Sequence, residues 1–351
     1  MIDFKKIFSN KPFALNEIKK KPLFFKNQKQ LSEYHYRNCP EYKNICDNMF
    51  KKINKCVSLE ELPFIHVKVF KELNLKSIDK KNLSKTLHSS GTSGKAKSKI
   101  NIDRNTSLLQ SKALINIFSS IIKKKVTFFF IEDSIGENLN SISASIAAIR
   151  GFSQMSKETI FIFKKNKLEI NPLIDFIKKN PQEKFVIFGF TNNIWTNLVK
   201  KLKQKKINLS KNNGILIHGG GWKKLENSSI SKVEFNKNIK KTVGVKKVYN
   251  YYGMVEQTGS VFLECEKGFF HCSLFSQIFI RNMNLSIAKK GEIGLIQTLS
   301  LLQLSYPGHN ILTEDLGRIE GVDNCKCGRK GKFFSVLGRV PGTEKRGCSD
   351  A

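Results

Sequence analysis

His88-Ser-Ser-Gly-Thr-Ser-Gly-Lys-Ala-Lys-Ser98 is the stretch on which the reading of this 351-residue chain turns. Hydroxyl residues (Ser89, Ser90, Thr92, Ser93) are interleaved with Gly91 and Gly94, and Lys95 and Lys97 follow at once. Glycines let backbone N–H groups converge on an anion, hydroxyls donate further hydrogen bonds, and lysines bring counter-charge. Taken alone, the segment reads either as a phosphate cradle or as a flexible polar linker. It is not a Walker loop, because the positions that need Gly and Ser/Thr hold Ser89 and Ala96.

Downstream of residue 86 the texture is that of alternating strands and helices. Val126–Ile131, Thr159–Phe163, Phe185–Phe190 and Gly214–His218 are short apolar runs rich in β-branched and aromatic residues. Helix-like segments such as Ile142–Ile149 and Asn193–Leu202 lie between them, which predicts an α/β fold with helices on the faces of a sheet. This core spans 86–261. Residues 262–337 lose helical periodicity, and the Gly-punctuated runs Phe275–Arg281, Gly294–Thr298 and Phe333–Leu337 predict a small β-rich subdomain. Residues 1–85 read as mainly helical, with runs broken at Pro12, Pro22, Pro40 and Pro63, and 338–351 form a hinge and tail.

Lys and Arg outnumber Asp and Glu by 61 to 29, a net charge of +32. Only 8 of the cations are Arg, and the lysines fall in scattered pairs and triples such as Lys123–Lys125 and Lys240–Lys241. A nucleic-acid site favours Arg forks and aromatic platforms on one face, so the charge reads as solvated surface. No signal peptide is evident, and no apolar run approaches the roughly 20 residues of a membrane span. Eight unevenly spaced Cys do not form a disulfide pattern, so the expected location is cytoplasmic. Cys39, Cys46 and Cys56 read as buried or idle thiols.

Further motifs follow the loop in order. His218-Gly-Gly-Gly-Trp222 ends a strand in Gly219, Gly220 and Gly221, as a backbone touching a ligand requires. In Asn250-Tyr-Tyr-Gly-Met-Val-Glu-Gln257, Tyr252 can stack on a purine, Gly253 allows close approach, and Glu256 can hold Mg2+ against a phosphate. Leu312-Thr-Glu-Asp-Leu-Gly-Arg318 places Asp315 on a turn, where a carboxylate can accept two ribose hydroxyls. Each of these, alone, also reads as an ordinary turn.

In this order, ending at Gly338-Arg339, the segments resemble the adenylate-forming superfamily, and most of all the acyl-protein synthetases of bacterial bioluminescence. SSGTSGKAKSKI, HGGGWK, YGMVEQTGS, ECEKGFFH, TEDLGRI, CGRKGKF and GRVPGTEKRGCSD carry the resemblance across residues 85–350. It implies ATP-dependent activation of a carboxylic, fatty acid as its acyl adenylate. Ser89, Ser90, Gly91, Thr92, Ser93, Gly94 and Lys97 would hold the phosphates. Gly219–Gly221, Tyr252 and Gly253 would frame the adenine, Glu256 would bind Mg2+, Asp315 the ribose, and Arg339 would lie at the hinge. Larger members of the superfamily continue into a mobile C-terminal subdomain with a catalytic Lys, which the resemblance leads one to expect is lacking here. Val255 stands where many relatives carry Thr.

The tail Lys345-Arg-Gly-Cys-Ser-Asp350 holds Cys348. In the resembled family a Cys near the C-terminus accepts the acyl group and passes it to a partner, an acyl reductase or a carrier protein. Neighbouring cations would favour the thiolate; the alternative is an incidental terminal Cys with coenzyme A as acceptor. Cys265, His271, Cys325 and Cys327 have pairing and spacing that suit a structural Zn2+, with Cys272 as a substitute ligand and reduced, packed thiols as the alternative. The reading of another class is a basic nucleic-acid or scaffold-binding protein on a degenerate adenylating fold.

Overall fold

The computed structural model describes residues 2–89, 97–132, 142–164, 167–221 and 230–343. Five parallel strands form one half of the main sheet, in the spatial order Ser156–Phe161, Val126–Phe130, Phe185–Phe190, Gly214–Gly219, Lys247–Tyr252. Parallel strands covered on both faces should be continuously apolar, and Val126–Phe130 and Phe185–Phe190 are buried at every residue. Side chains alternate across the sheet. Phe128, Phe130, Val186 and Phe188 face one core with Leu114, Phe118 and Phe152. Phe129, Phe185 and Ile187 face another with Trp195, Phe235 and Ile239.

Helix starts follow local capping chemistry. Asp103 accepts from Thr106 N at 2.7 Å to open helix Arg104–Phe118, and Ser231 accepts from Glu234 N at 3.1 Å to open Lys232–Val243. That second helix ends at Gly244 (φ +71°), where a Cβ would overlap the Ser210 carbonyl.

The strands of 262–339 hydrogen-bond onto the same sheet. Tyr252 pairs with Phe262, Glu264 with Phe270 and His271 with Phe333, and the ladder continues through Lys332–Arg339, Asn310–Val322, Gly294–Ser300 and Ser276–Arg281. A separate three-stranded sheet joins Lys99–Asp103, Leu83–His88 and Ile142–Ser143.

Helices Glu17–Asn38 and Pro40–Met49 dominate the N-terminal stretch. Pro40 starts the second, but Pro22 does not break the first, contrary to expectation. Pro22 lies on the exposed side while Phe24, Gln28, Leu31, Ser32 and His35 are buried on the other. Packing along that face outweighs one missing backbone hydrogen bond. Gln28 donates to the carbonyls of Ser300 and His309, and His35 stacks on His309 at 4.9 Å, tying this helix to the sheet.

Candidate functional site

The carboxyl ends of the parallel strands, where open α/β sheets bind ligands, border a cleft of about 980 Å³ including its mouth. Gly220 and Gly221, Asn250 to Tyr252, Phe270, Asp315 and Val336 to Arg339 line it, together with Ile230 and Lys232. Segments far apart in sequence thus share one cavity.

Asp315 does not lie on a turn. It sits within strand Asn310–Val322, directly opposite Arg339 in the antiparallel ladder, because the bulge follows at Leu316/Gly317. Tyr252 donates its hydroxyl to Asp315 Oδ2 at 2.9 Å, and Arg339 Nε lies 3.3 Å from Asp315 Oδ1. Arg339 also pairs with Glu314, which takes a second cation from Lys68 at 2.9 Å. Two buried carboxylates beside one guanidinium form a polar floor whose geometry is fixed before any ligand arrives.

Ser89 and Ser98 close the base of the Ser/Thr/Gly loop. Ser89 N donates to Ser98 O at 3.3 Å, Ser98 N donates to Ser89 Oγ at 3.0 Å, and His88 pairs with Lys99 across the ladder. Ser98 then donates its hydroxyl to Glu256 Oε1 at 2.7 Å, although the two are 158 positions apart. Ser90, Gly91, Thr92, Ser93 and Gly94 lie outside the described residues, and Lys97 is exposed. His88 is held below its ordinary pKa by partial burial, then by Lys99 and Lys97.

Glu256 is 1% exposed, and its Oε2 has no hydrogen-bond partner among the described residues. A buried carboxylate oxygen left unpaired costs free energy unless a cation or donor reaches it, so this donor fits Mg2+. Its backbone is pinned separately, with the Tyr306 hydroxyl donating to Glu256 O at 2.9 Å.

Gly219 lies against the ring of Tyr251, its register partner, and a Cβ there would overlap that ring. Gly220 and Gly221 face the cleft; Gly219 serves packing. Tyr252 lines the cleft, but its ring packs among Phe262, Phe270 and Phe334. Gly253 borders a smaller apolar cavity next to the cleft. Lys232, Phe270 and Asn250 were not singled out from sequence. Lys232 pairs with Glu264 and donates to Gly268 O at 3.2 Å, contacts that no local motif announces.

Behind Phe270 the donor atoms of Cys265, His271, Cys325 and Cys327 lie within 4.8 Å of one another. Cys265 Sγ is 3.9 Å from Cys325 Sγ, and Cys327 Sγ is 3.4 Å from His271 Nε2. With Zn–S bonds of about 2.3 Å, the edges of a tetrahedron are about 3.8 Å, so the donor set and spacing fit Zn2+. Cys272 is outside the set; it is fully buried near Lys20 and Lys332, and burial pushes its thiol up to about 12. Cys39, Cys46 and Cys56 are buried thiols, as read from sequence. Cys348 lies outside the described residues, and no described helix is long and apolar enough to cross a membrane.

Residues 2–351 match the family described as "Acyl-protein synthetase, LuxE". The chain is 23% identical over 328 residues to the long-chain-fatty-acid–luciferin-component ligase of Aliivibrio fischeri, covering 90% of this chain and 84% of that one. The Vibrio harveyi protein of the same name is 20% identical over 357 residues, covering 98% and 90%. Among solved structures, an open 2-hydroxyisobutyryl-CoA ligase with its acyl adenylate and CoA superposes with a TM-score of 0.74 at 15% identity, over 95% of this chain and 78% of that one. Its post-adenylation form gives 0.72 at 14% identity, over 94% and 70%. The fold is that of the adenylate-forming ligases.

Proposed function

Since the chain belongs to the acyl-protein synthetase, LuxE, family, we propose that it uses ATP to convert a carboxylic acid into its acyl adenylate and passes the acyl group to the thiol of Cys348. The observation that supports the reading is the junction of Ser98 with Glu256, which ties the loop base to a buried carboxylate with one oxygen unpaired among the described residues.

A carboxylate is a poor electrophile. One of its oxygens attacks the α-phosphorus of ATP, the new O–P bond forms, the bond to the bridging oxygen breaks, and pyrophosphate leaves. The step needs charge compensation and positioning rather than a base. Asp315 accepts from the ribose hydroxyls, and the backbone at Gly220 and Gly221 admits the adenine edge. Ser90, Gly91, Thr92, Ser93, Gly94 and Lys97 hold the phosphates. Glu256 would hold Mg2+, whose charge, when bound, offsets that of the phosphates. Cys265, His271, Cys325 and Cys327 would hold a structural Zn2+ that staples the turn behind Phe270. In the second step the Cys348 thiolate attacks the acyl carbonyl, a thioester forms and AMP departs. An acyl reductase or a carrier protein then takes the acyl group.

Replacing Cys348 with Ser tests the acceptor. Acid-dependent pyrophosphate exchange persists, while covalent labelling by radiolabelled acid disappears. Labelling that survives removes Cys348 from the mechanism, and acyl transfer to added coenzyme A would then identify the acceptor.

A further inference from the structure

Two neighbouring strands, Phe262–Glu264 and Phe270–His271, serve two places at once. Side chains alternate along a strand, and here the alternation divides the chemistry. Glu264 and Phe270 are partners in the ladder, and Phe270 lines the nucleotide cleft. The residues that follow them, Cys265 and His271, give their donor atoms to the Cys/His set. The cleft and the candidate metal centre are thus two faces of one short ladder.

Lys232 reaches this ladder from the opposite wall of the cleft. Its ammonium lies 5.9 Å from the Phe270 ring centroid, pairs with Glu264 and donates to Gly268 O at 3.2 Å. Gly268 (φ +85°) closes the turn that begins at Cys265. Its N–H donates to Cys265 O at 2.9 Å, and Lys267 N donates to Cys265 Sγ at 3.4 Å. The turn that places Cys265 Sγ therefore also aims the Gly268 carbonyl at Lys232. An ammonium has three N–H donors. Glu264 and Gly268 take two among the described residues, and the third is left for a ligand in the cleft that Lys232 lines.

We propose that Lys232 is a nucleotide-binding residue held in place by the metal turn. With the Cys/His set loaded, the turn keeps Glu264 and the Gly268 carbonyl on the ammonium, and its remaining N–H donates to an acceptor of the bound nucleotide. Metal occupancy and nucleotide affinity are then coupled, and by linkage each raises the other. The inference rests on the adenylation reading and on the fit of the donor set to Zn2+.

AMP binding measured by calorimetry, beside zinc content from elemental analysis, tests it. Chelator-treated wild type that keeps its far-UV circular dichroism should bind AMP about tenfold more weakly than the zinc-loaded protein, the worth of one charge-assisted hydrogen bond. Lys232→Met should retain zinc, show the same loss, and lose no more on chelation. Its KM for ATP should rise about tenfold with the KM for the acid unchanged, a split that general loosening of the fold would not give. Glu264→Leu removes the anchoring carboxylate without touching a metal ligand. It should keep zinc yet weaken AMP binding, so a chelated protein that unfolds does not leave the idea untested. Wild-type AMP affinity in either variant, or a chelation effect as large in Lys232→Met as in the wild type, overturns the coupling. So does a wild type that takes up no zinc. AMP and ATP bound by none of the proteins overturns the adenylation reading instead.

Discussion

Glu256→Gln should slow the enzyme and leave its fold as stable or more stable. In the wild type the side chain is 1% exposed, Oε1 accepts from Ser98 at 2.7 Å, and Oε2 has no partner among the described residues. An unsatisfied buried polar atom costs about 1–3 kcal/mol, and more when charged. Gln keeps the shape and can still accept from Ser98, but removes the buried charge. The unfolding free energy without Mg2+ should therefore stay level or rise by about 1 kcal/mol. Loss of a preorganised electrostatic contact to the reacting phosphates costs about 3–4 kcal/mol, or roughly a hundred- to a thousandfold in exchange rate. Denaturant unfolding and a Mg2+ titration of pyrophosphate exchange, run on the same preparations, read both quantities. A variant that loses stability along with activity would show that Glu256 is a structural residue. Exchange with wild-type Mg2+ dependence would equally refute its assignment.

The buried histidines set an acid limit. Burial holds His35 and His218 at about 3 and His309 well below 6.5, so the unfolded chain binds these protons first as pH falls. Stability should be full above about pH 6.5 and decline toward pH 3, by about 1 kcal/mol per histidine one unit below the unfolded pKa; denaturant midpoints across that range check it. Gly219→Ala forces a methyl group into the Tyr251 ring and should cost about 1–3 kcal/mol, read by thermal unfolding. Cys325→Ser should abolish bound zinc measured by elemental analysis and lower the unfolding temperature, and a strong chelator should do the same to the wild type. An unchanged metal content in the variant would show that Cys325 is not a ligand.

The parallel half of the sheet was legible because its strands are buried on both faces. Phe185–Phe190 reads as a strand in sequence and occupies those same bounds, and Gly214–His218 extends by only one residue. The Cys and His set was legible because short turns bring paired ligands together. Asp315 was misplaced because TEDLG resembles a turn, whereas the partner that makes it a strand, Arg339, is 24 residues away. Pro22 misled because local backbone cost is visible in sequence and a buried helix face is not. Phe190, at the end of its strand, lines the apolar cavity, while Phe129 and Trp195 lie in the opposite core. Lys232 and Phe270 reach the cleft through tertiary packing, which leaves no local signature.

Acyl adenylation itself is tested most directly by isotope exchange. Radiolabelled pyrophosphate, ATP, Mg2+ and a carboxylic acid are mixed with the enzyme, and label in ATP is counted. The account predicts incorporation that requires the acid and is lost in Glu256→Gln. Absence of acid-dependent label across carboxylic acids of varied chain length, with ATP demonstrably bound, would contradict it.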